Sequence, residues 1–303
     1  MSKTELAPVE GLLRQGLFYF LQPLLLIVVI FSWYLDPSRE QTYLLAIIFV
    51  QLVLGLSEQV FPARPAWSSN AKEKIRNVTL VVILTMSALM VTELYQVWLS
   101  GPLVAVRESL GLNIWPHHWP LLVQLFMVFL LSELFWYWMH RAEHRWKLVW
   151  RLSAHGSHHS FKKLGALNFG LNHPLEYFFI VLPSFLVELT FGVGPAALGA
   201  AILVVSQTSI VHSNIVLNTR WIGLLFTTNR YHICHHSMVL SESNTNYGCS
   251  AILWDRLFGT FLDKTIDDAG TGPTEPTLWE KFLMPFKEPE DTTIAPLGSE
   301  VGL

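Results

Sequence analysis

Residues 120–144 read PLLVQLFMVFLLSELFWYWMHRAEH, an apolar run from Pro120 to Met139 that closes on His140 and His144. A helix needs about 20 apolar residues to cross a bilayer, and positions i and i+4 of a helix share a face. The stretch therefore predicts a membrane span that aims two imidazoles at one point just beyond its end. Imidazole suits zinc, copper, iron and nickel.

Seven more histidines belong to the same pattern. His155, His158 and His159 form H-x-x-H-H shortly after the span, His212 ends a later apolar run, and His232, His235 and His236 repeat H-x-x-H-H. With 12 histidines in 303 residues, chance supplies such a triple about 0.02 times in this chain, so two are strong as motif evidence goes. On a helix each triple aims up to three imidazoles at one point. Eight or nine imidazoles exceed what one tetrahedral ion can use, and the count favours two metals. Cys234 lies between ligand positions but faces away from His235 and His236 on a helix, as packing. His117 and His118, beside Trp115 and Trp119, read as interfacial residues. His173, before Pro174, fits a ligand, a partner to a ligand or a helix cap. Glu133, two turns before His140, fits either an acceptor for a ligand imidazole's N–H or a polar contact between helices, since a carboxylate in an apolar helix is costly unless paired. Glu93 and Glu188 also interrupt apolar runs and read as helix partners or interfacial residues.

Composition agrees with a membrane protein. The chain is 51% hydrophobic and 14% charged, against about 25% charged in a soluble domain. It holds 12 Trp and 19 Phe, the stuff of interfacial aromatic belts. Two cysteines exclude a disulfide framework and a four-cysteine zinc module, and a net charge of −3 argues against nucleic acid as a partner. Further apolar runs cover Leu17 to Leu35, Thr42 to Ser57 and Val78 to Leu99. A hairpin pair, Leu175 to Phe191 and Val193 to Val211, breaks only around Gly192. The expected fold is all-α: an integral bundle of four spans plus a helical hairpin. Segments Pro62–Asn77 and Arg141–Lys163 carry most of the loop Lys and Arg and are expected to be cytoplasmic, with the N-terminus, which carries Lys3 and Arg14. Asp36–Gln41 and Gly101–Trp119 fall on the other side. We expect one membrane domain over residues 1–261, its histidine-rich catalytic part at 133–261. An acidic, proline-containing tail follows at 262–303, solvated and partly irregular, with Trp279, Phe282, Leu283 and Phe286 to bring it back to the surface.

From about Glu133 to Phe261 the sequence resembles the fatty acid hydroxylase/sterol desaturase superfamily of membrane di-iron enzymes. The resemblance rests on Trp138-Met139-His140-Arg141, His155-Gly156-Ser157-His158-His159-Ser160, Asn172-His173-Pro174-Leu175-Glu176 and His212-Ser213-Asn214. It continues through the second triple, Asn246-Tyr247-Gly248 and Trp254-Asp255-Arg256-Leu257-Phe258-Gly259-Thr260. It implies a cytosolic helical cap over a di-iron centre, with His140, His144, His155, His158, His159, His212, His232, His235 and His236 as ligands. Members often carry another histidine one turn before His212. Here that place holds Thr208, leaving His173 or water as substitute. The implied reaction is O2-dependent attack on an unactivated C–H bond of a membrane lipid, such as a fatty-acyl chain or sterol, giving hydroxylation or desaturation. Carotenoid-ring hydroxylation and ether-lipid cleavage use the same residues. Electrons would come from NAD(P)H through a separate donor protein, cytochrome b5-like or a ferredoxin. The metals and oxygen carry the chemistry, so no catalytic side chain is expected beyond the centre. Phe135, Trp136, Tyr137 and Trp138 are candidates for a cavity wall or an interfacial belt.

His140-Arg141-Ala142-Glu143-His144 also fits H-x-x-E-H, a membrane zinc metallopeptidase pattern with glutamate as general base. That alternative leaves both triples unexplained. A metal transporter would place its ligands near mid-membrane, not beyond one helix end.

Overall fold

The computed structural model describes residues 3–287, with side chains from residue 10 onward. Glu288, Glu290, Asp291 and Glu300 of the expected tail, and the side chain of Lys3, lie outside the described residues. Five segments are long and apolar enough to cross a membrane. They are Glu10–Leu35 within α1 (Lys3–Leu35), α2 (Gln41–Val60), α3 (Ala71–Ser109), α4 (Leu121–Arg145) and Pro174–Phe191, most of which is α7 (Tyr177–Phe191). The shorter apolar α8 (Ala196–His212) completes a hairpin with α7 across Gly192 and Gly194, both in the left-handed region. Among the described residues the other helices are short: α5 (Lys147–Ser153), α6 (His155–His159), α9 (Asn229–His235), α10 (Leu240–Ser243), α11 (Leu253–Phe258) and α12 (Leu278–Leu283). No strand is present among them. The protein is an all-helical membrane bundle, as its hydropathy predicts.

The bundle is built around α8, which is buried on most of its surface. Small residues let its neighbours close in. A Cβ on Gly199 would lie 2.7 Å from Leu125 of α4 and 2.7 Å from the Trp33 ring of α1, so only glycine permits this three-helix contact. Trp33, Val50, Leu54, Leu125, Phe129, Ile202 and Leu203 form the surrounding core, each almost wholly removed from solvent. Inside this apolar layer Gln22 donates to Gln207 at 3.2 Å, and Gln207 donates to the Thr227 carbonyl. Polar groups buried together in hydrocarbon must pair, and this pairing fixes α1, α8 and the segment before α9 to one another.

α3 departs from expectation. The helix extends through Gly101 and Pro102 to Ser109, into residues read as loop, and it starts at Ala71 behind an Asn70–Glu73 capping box. At about 1.5 Å per residue, its 39 residues exceed the roughly 30 Å of a bilayer core. α3 meets the bundle mainly through α7, where the Tyr95 hydroxyl donates to the Phe178 carbonyl at 2.6 Å and its ring edges onto Phe178 and Phe185.

Both basic segments lie at the same end of the bundle. Ala63 donates its N–H to the Asn214 carbonyl at 2.8 Å, two residues past the end of α8, and Lys163 pairs with Glu73 at 3.5 Å. Glu58, at the end of α2, accepts from the N–H groups of Ala166 and Asn214 at 2.8 and 2.7 Å. At the opposite end Trp115 packs on Phe191, and Arg107 reaches the Leu189 carbonyl. His117 and His118 lie there as well, and the His117 carbonyl accepts from Gln124. Of the tail, Ile266 and Ala269 return to a core with Phe161, Leu164 and Cys234, and α12 packs beside α6.

Candidate metal centre

All nine clustered histidines come together at the basic end of the bundle, none more than 6% exposed. They form two adjacent groups, His140, His144, His155, His159 and His235 in one, and His158, His212, His232 and His236 in the other. The rings of His159 and His236 stack at 4.4 Å between the groups.

Each H-x-x-H-H triple divides between the two groups instead of aiming at one point. His155 and His159 join the first, and His158 crosses to the second. His232 and His236 join the second, and His235 crosses to the first. A helix turns 100° per residue, so i and i+4 stay within about 40° of each other, whereas i+3 and i+4 diverge by about 100°. Two short helices laid beside one gap therefore each serve both sides of it. Ala154, left-handed at φ 58°, separates α5 from α6 and permits the sharp turn that delivers His155.

Hydrogen bonds decide which nitrogen of each ring faces inward. Nδ1–H of His140 donates to the Tyr247 carbonyl at 2.6 Å and that of His155 to Glu176 Oε1 at 2.7 Å. Nδ1–H of His212 donates to the Thr208 carbonyl and that of His235 to the Thr245 carbonyl, both at 2.7 Å. With the proton on Nδ1, each neutral ring presents a bare Nε2 lone pair. Those lone pairs face each other. His140 Nε2 stands 2.9 Å from His155 Nε2 and 3.1 Å from His235 Nε2. In the second group the bare Nε2 of His212 stands 2.9 Å from His232 Nε2 and 3.1 Å from His158 Nε2. Where both rings hold their proton on Nδ1, as in the pairs His140 makes, acceptors at such distances repel unless a cation lies among them. Neighbouring ligands about 2.1 Å from one ion are themselves about 3 Å apart, so the donor set fits a metal ion in each group. Burial, with the neighbouring imidazoles adding to it, holds His155, His158, His159, His232, His235 and His236 well below the usual histidine range. The rings are neutral, the form that binds metal.

Other expected residues lie elsewhere. His173 Nδ1 accepts from the Leu175 N–H at 3.1 Å, capping the turn that opens α7, and its Nε2–H donates to the Phe282 carbonyl at 3.2 Å. Of the roles open to it, this is the cap. At Thr208 only the backbone carbonyl serves the site. Glu133 accepts from the backbone N–H groups of Ser250 and Ala251 at 2.9 and 3.1 Å, fixing that loop to α4, with no imidazole as its donor. Glu93 and Glu188 belong to neither group. Cys234 is buried in the packing core beneath α9. Trp136 stacks on His140 and Tyr137 is fully buried, whereas Phe135 and Trp138 face outward.

Three contributors escaped the spacing argument. Glu176 holds His155 in register. Asp255 accepts from the N–H groups of Tyr247 and Gly248 at 2.8 and 2.7 Å, and so sets the carbonyl that holds His140. Burial raises the Asp255 carboxyl to about 6. Trp150 packs edge-on against His144 and His155. Glu176 and Asp255 stand in the N-H-P-L-E and W-D-R-L-F-G stretches, which was the only signal for them. Glu143 is fully buried and lies 3.8 Å from His155 Nδ1, the edge away from the inward-facing Nε2 atoms. A general base beside metal-bound water would sit on the inward side, so this placement gives the peptidase reading no support.

The fatty acid hydroxylase family model matches residues 125–260. Ornithine lipid hydroxylase OlsE of Rhizobium tropici is 28% identical over 213 residues, 69% of this chain and 63% of its own length. Alkylglycerol monooxygenase of Xenopus tropicalis is 26% identical over 144 residues, 45% of this chain and 30% of its own. A very-long-chain aldehyde decarbonylase of Oryza sativa is 28% identical over 173 residues, 53% and 59%. The chain thus covers less than two thirds of each of these relatives. No solved structure matches it.

Proposed function

We propose that this chain, whose residues 125–260 match the fatty acid hydroxylase family model, is an O2-dependent oxidoreductase that hydroxylates, or desaturates, an unactivated C–H bond of a membrane lipid. The nine imidazoles would hold two iron ions, five at one and four at the other. Electrons would come from NAD(P)H through a separate cytochrome b5-like protein or ferredoxin. The observation that carries this reading is the convergence of nine buried imidazoles in two adjacent groups. The basic segments beside them support a cytoplasmic site by the positive-inside rule.

When bound, the iron pair supplies reductive activation of O2, which no side chain offers. The protein's own part is placement and exclusion. His140, His155, His212 and His235 are each held by a fixed acceptor on Nδ1, which keeps the ring angle and the tautomer constant. Trp136, stacked on His140, and Trp150, packed edge-on against His144 and His155, help keep water out. α4 and α8 carry His140, His144 and His212 at one end, so a lipid chain would approach the site from the bilayer side.

Mass spectrometry of lipids from cells with and without the chain tests the reaction. A product heavier by one oxygen supports hydroxylation, and loss of two hydrogens supports desaturation. A vanished ether lipid, or no lipid change at all, contradicts this reading. His158→Ala and His235→Ala should each abolish the product, and full activity in either contradicts the ligand assignment.

A further inference from the structure

α12 has its amphipathicity inverted. Its inward side holds Lys281, only 4% exposed, with Nζ 3.2 Å above the Phe161 ring and 2.9 Å from Glu275 Oε1. Its outward side shows Trp279 and Phe282, 66% and 49% exposed with stacked rings, followed by Phe286 at 73%. A helix facing water would present these the other way round. Leaving large apolar side chains in water is unfavourable relative to burying them.

The neighbouring helix repeats the pattern. α5 turns Trp150 inward onto the histidines and leaves Leu148 and Leu152 outward, with Trp146 just before it, all 56–69% exposed. The two are tied together: Arg151 donates to the Pro285 and Phe286 carbonyls at 3.2 Å. They are also tied to the ends of spanning segments. α5 begins two residues after α4 ends, and His173, immediately before the segment Pro174–Phe191, donates to the Phe282 carbonyl. This apolar face is therefore continuous with the place where α4 and α7 leave the membrane. Lys147 and Arg151 lie on α5, and Arg145 and Lys287 flank α5 and α12, the mixture of aromatic and basic side chains that settles at a headgroup layer.

We propose that the outer face of α5 and α12 rests in the anionic headgroup layer of the membrane that the bundle crosses. The tail from Thr277 to Phe286 is then a peripheral anchor that covers the histidine-bearing α6 from the lipid side. This holds whatever metal the centre carries or reaction it performs.

The test uses the full chain in nanodiscs of phosphatidylcholine with phosphatidylglycerol. Nitroxide labels are placed at Trp279→Cys, Phe286→Cys and, as an aqueous control, Thr265→Cys, an exposed position outside this face. The signal of the unsubstituted chain, from Cys234 and Cys249, is subtracted. Labels at 279 and 286 should collide several-fold more often with oxygen than with a water-soluble nickel chelate, with the reverse at 265. Nickel access at 279 and 286 equal to that at 265 overturns the proposal. So does shielding from both reagents, which would mean a protein partner or a second copy on this face. All three substituted side chains are exposed, so the labels leave the packing in place.

Discussion

His155 shows how much of the centre depends on groups that bind nothing themselves. Its Nδ1–H is committed to Glu176, and that commitment turns Nε2 toward His140 and His144. Loss of such a supporting acceptor typically costs 10–100-fold in metal affinity. Glu176→Ala should therefore lose metal to a chelator about 10–100 times more readily, and Glu176→Gln, which keeps an acceptor oxygen, should lose less. Chelator competition followed by metal analysis measures both. Eight of the nine histidines were legible from their spacing and His212 from its place at the end of an apolar run and the family resemblance, whereas their acceptors were not. Glu133 looked well placed, two turns below His140 on the same face. The loop at Ser250 and Ala251 fills that space, and no helical periodicity announces a loop. Burial of neutral imidazoles also sets a pH dependence. Six of them stay neutral in the folded chain well below the usual 6.5. Below 6.5 the unfolded chain binds more protons than the folded one, so stability falls as pH falls. The metal-free chain should show a thermal midpoint that drops steadily from pH 7 to pH 5, and a flat profile would contradict the assignment of neutral, buried rings.

At the scale of elements, α6 and α9 each split a triple across two groups, which pattern-matching to one helical face did not anticipate. The i+3 histidine diverges from i+4 by about 100°, and the opposed pair of helices turns that divergence into two sites. α3 also exceeded its reading, because Gly101 and Pro102 look like a helix end when taken alone, yet the apolar sequence continues to Val106 and the helix to Ser109. α8 is the element on which the others close. Gly199→Leu would drive a side chain into Leu125 and Trp33. Overpacking of this kind costs about 1–3 kcal/mol, so thermal unfolding in detergent should begin several degrees lower. An unchanged midpoint would show that α1 and α4 do not close on α8 as described.

At the scale of the whole molecule, apolar length and loop charge gave the spans and their grouping, since both report directly on the bilayer. They did not show that the first part of the tail packs back onto the core through Ile266 and Ala269, because nothing in an acidic, proline-punctuated segment fixes a partner. The topology has its own test. Asn113→Cys, at the far end, should react with a membrane-impermeant thiol reagent in intact cells, and Ser69→Cys, at the metal end, only after permeabilisation. The opposite labelling would invert the molecule. The most direct measurement of the central claim is the metal content of the purified chain from iron-supplied cells. About two irons per chain are expected, falling to about one in His232→Ala, whose ring lies only in the four-histidine group. A single tightly held ion per chain, unchanged in His232→Ala, would contradict it.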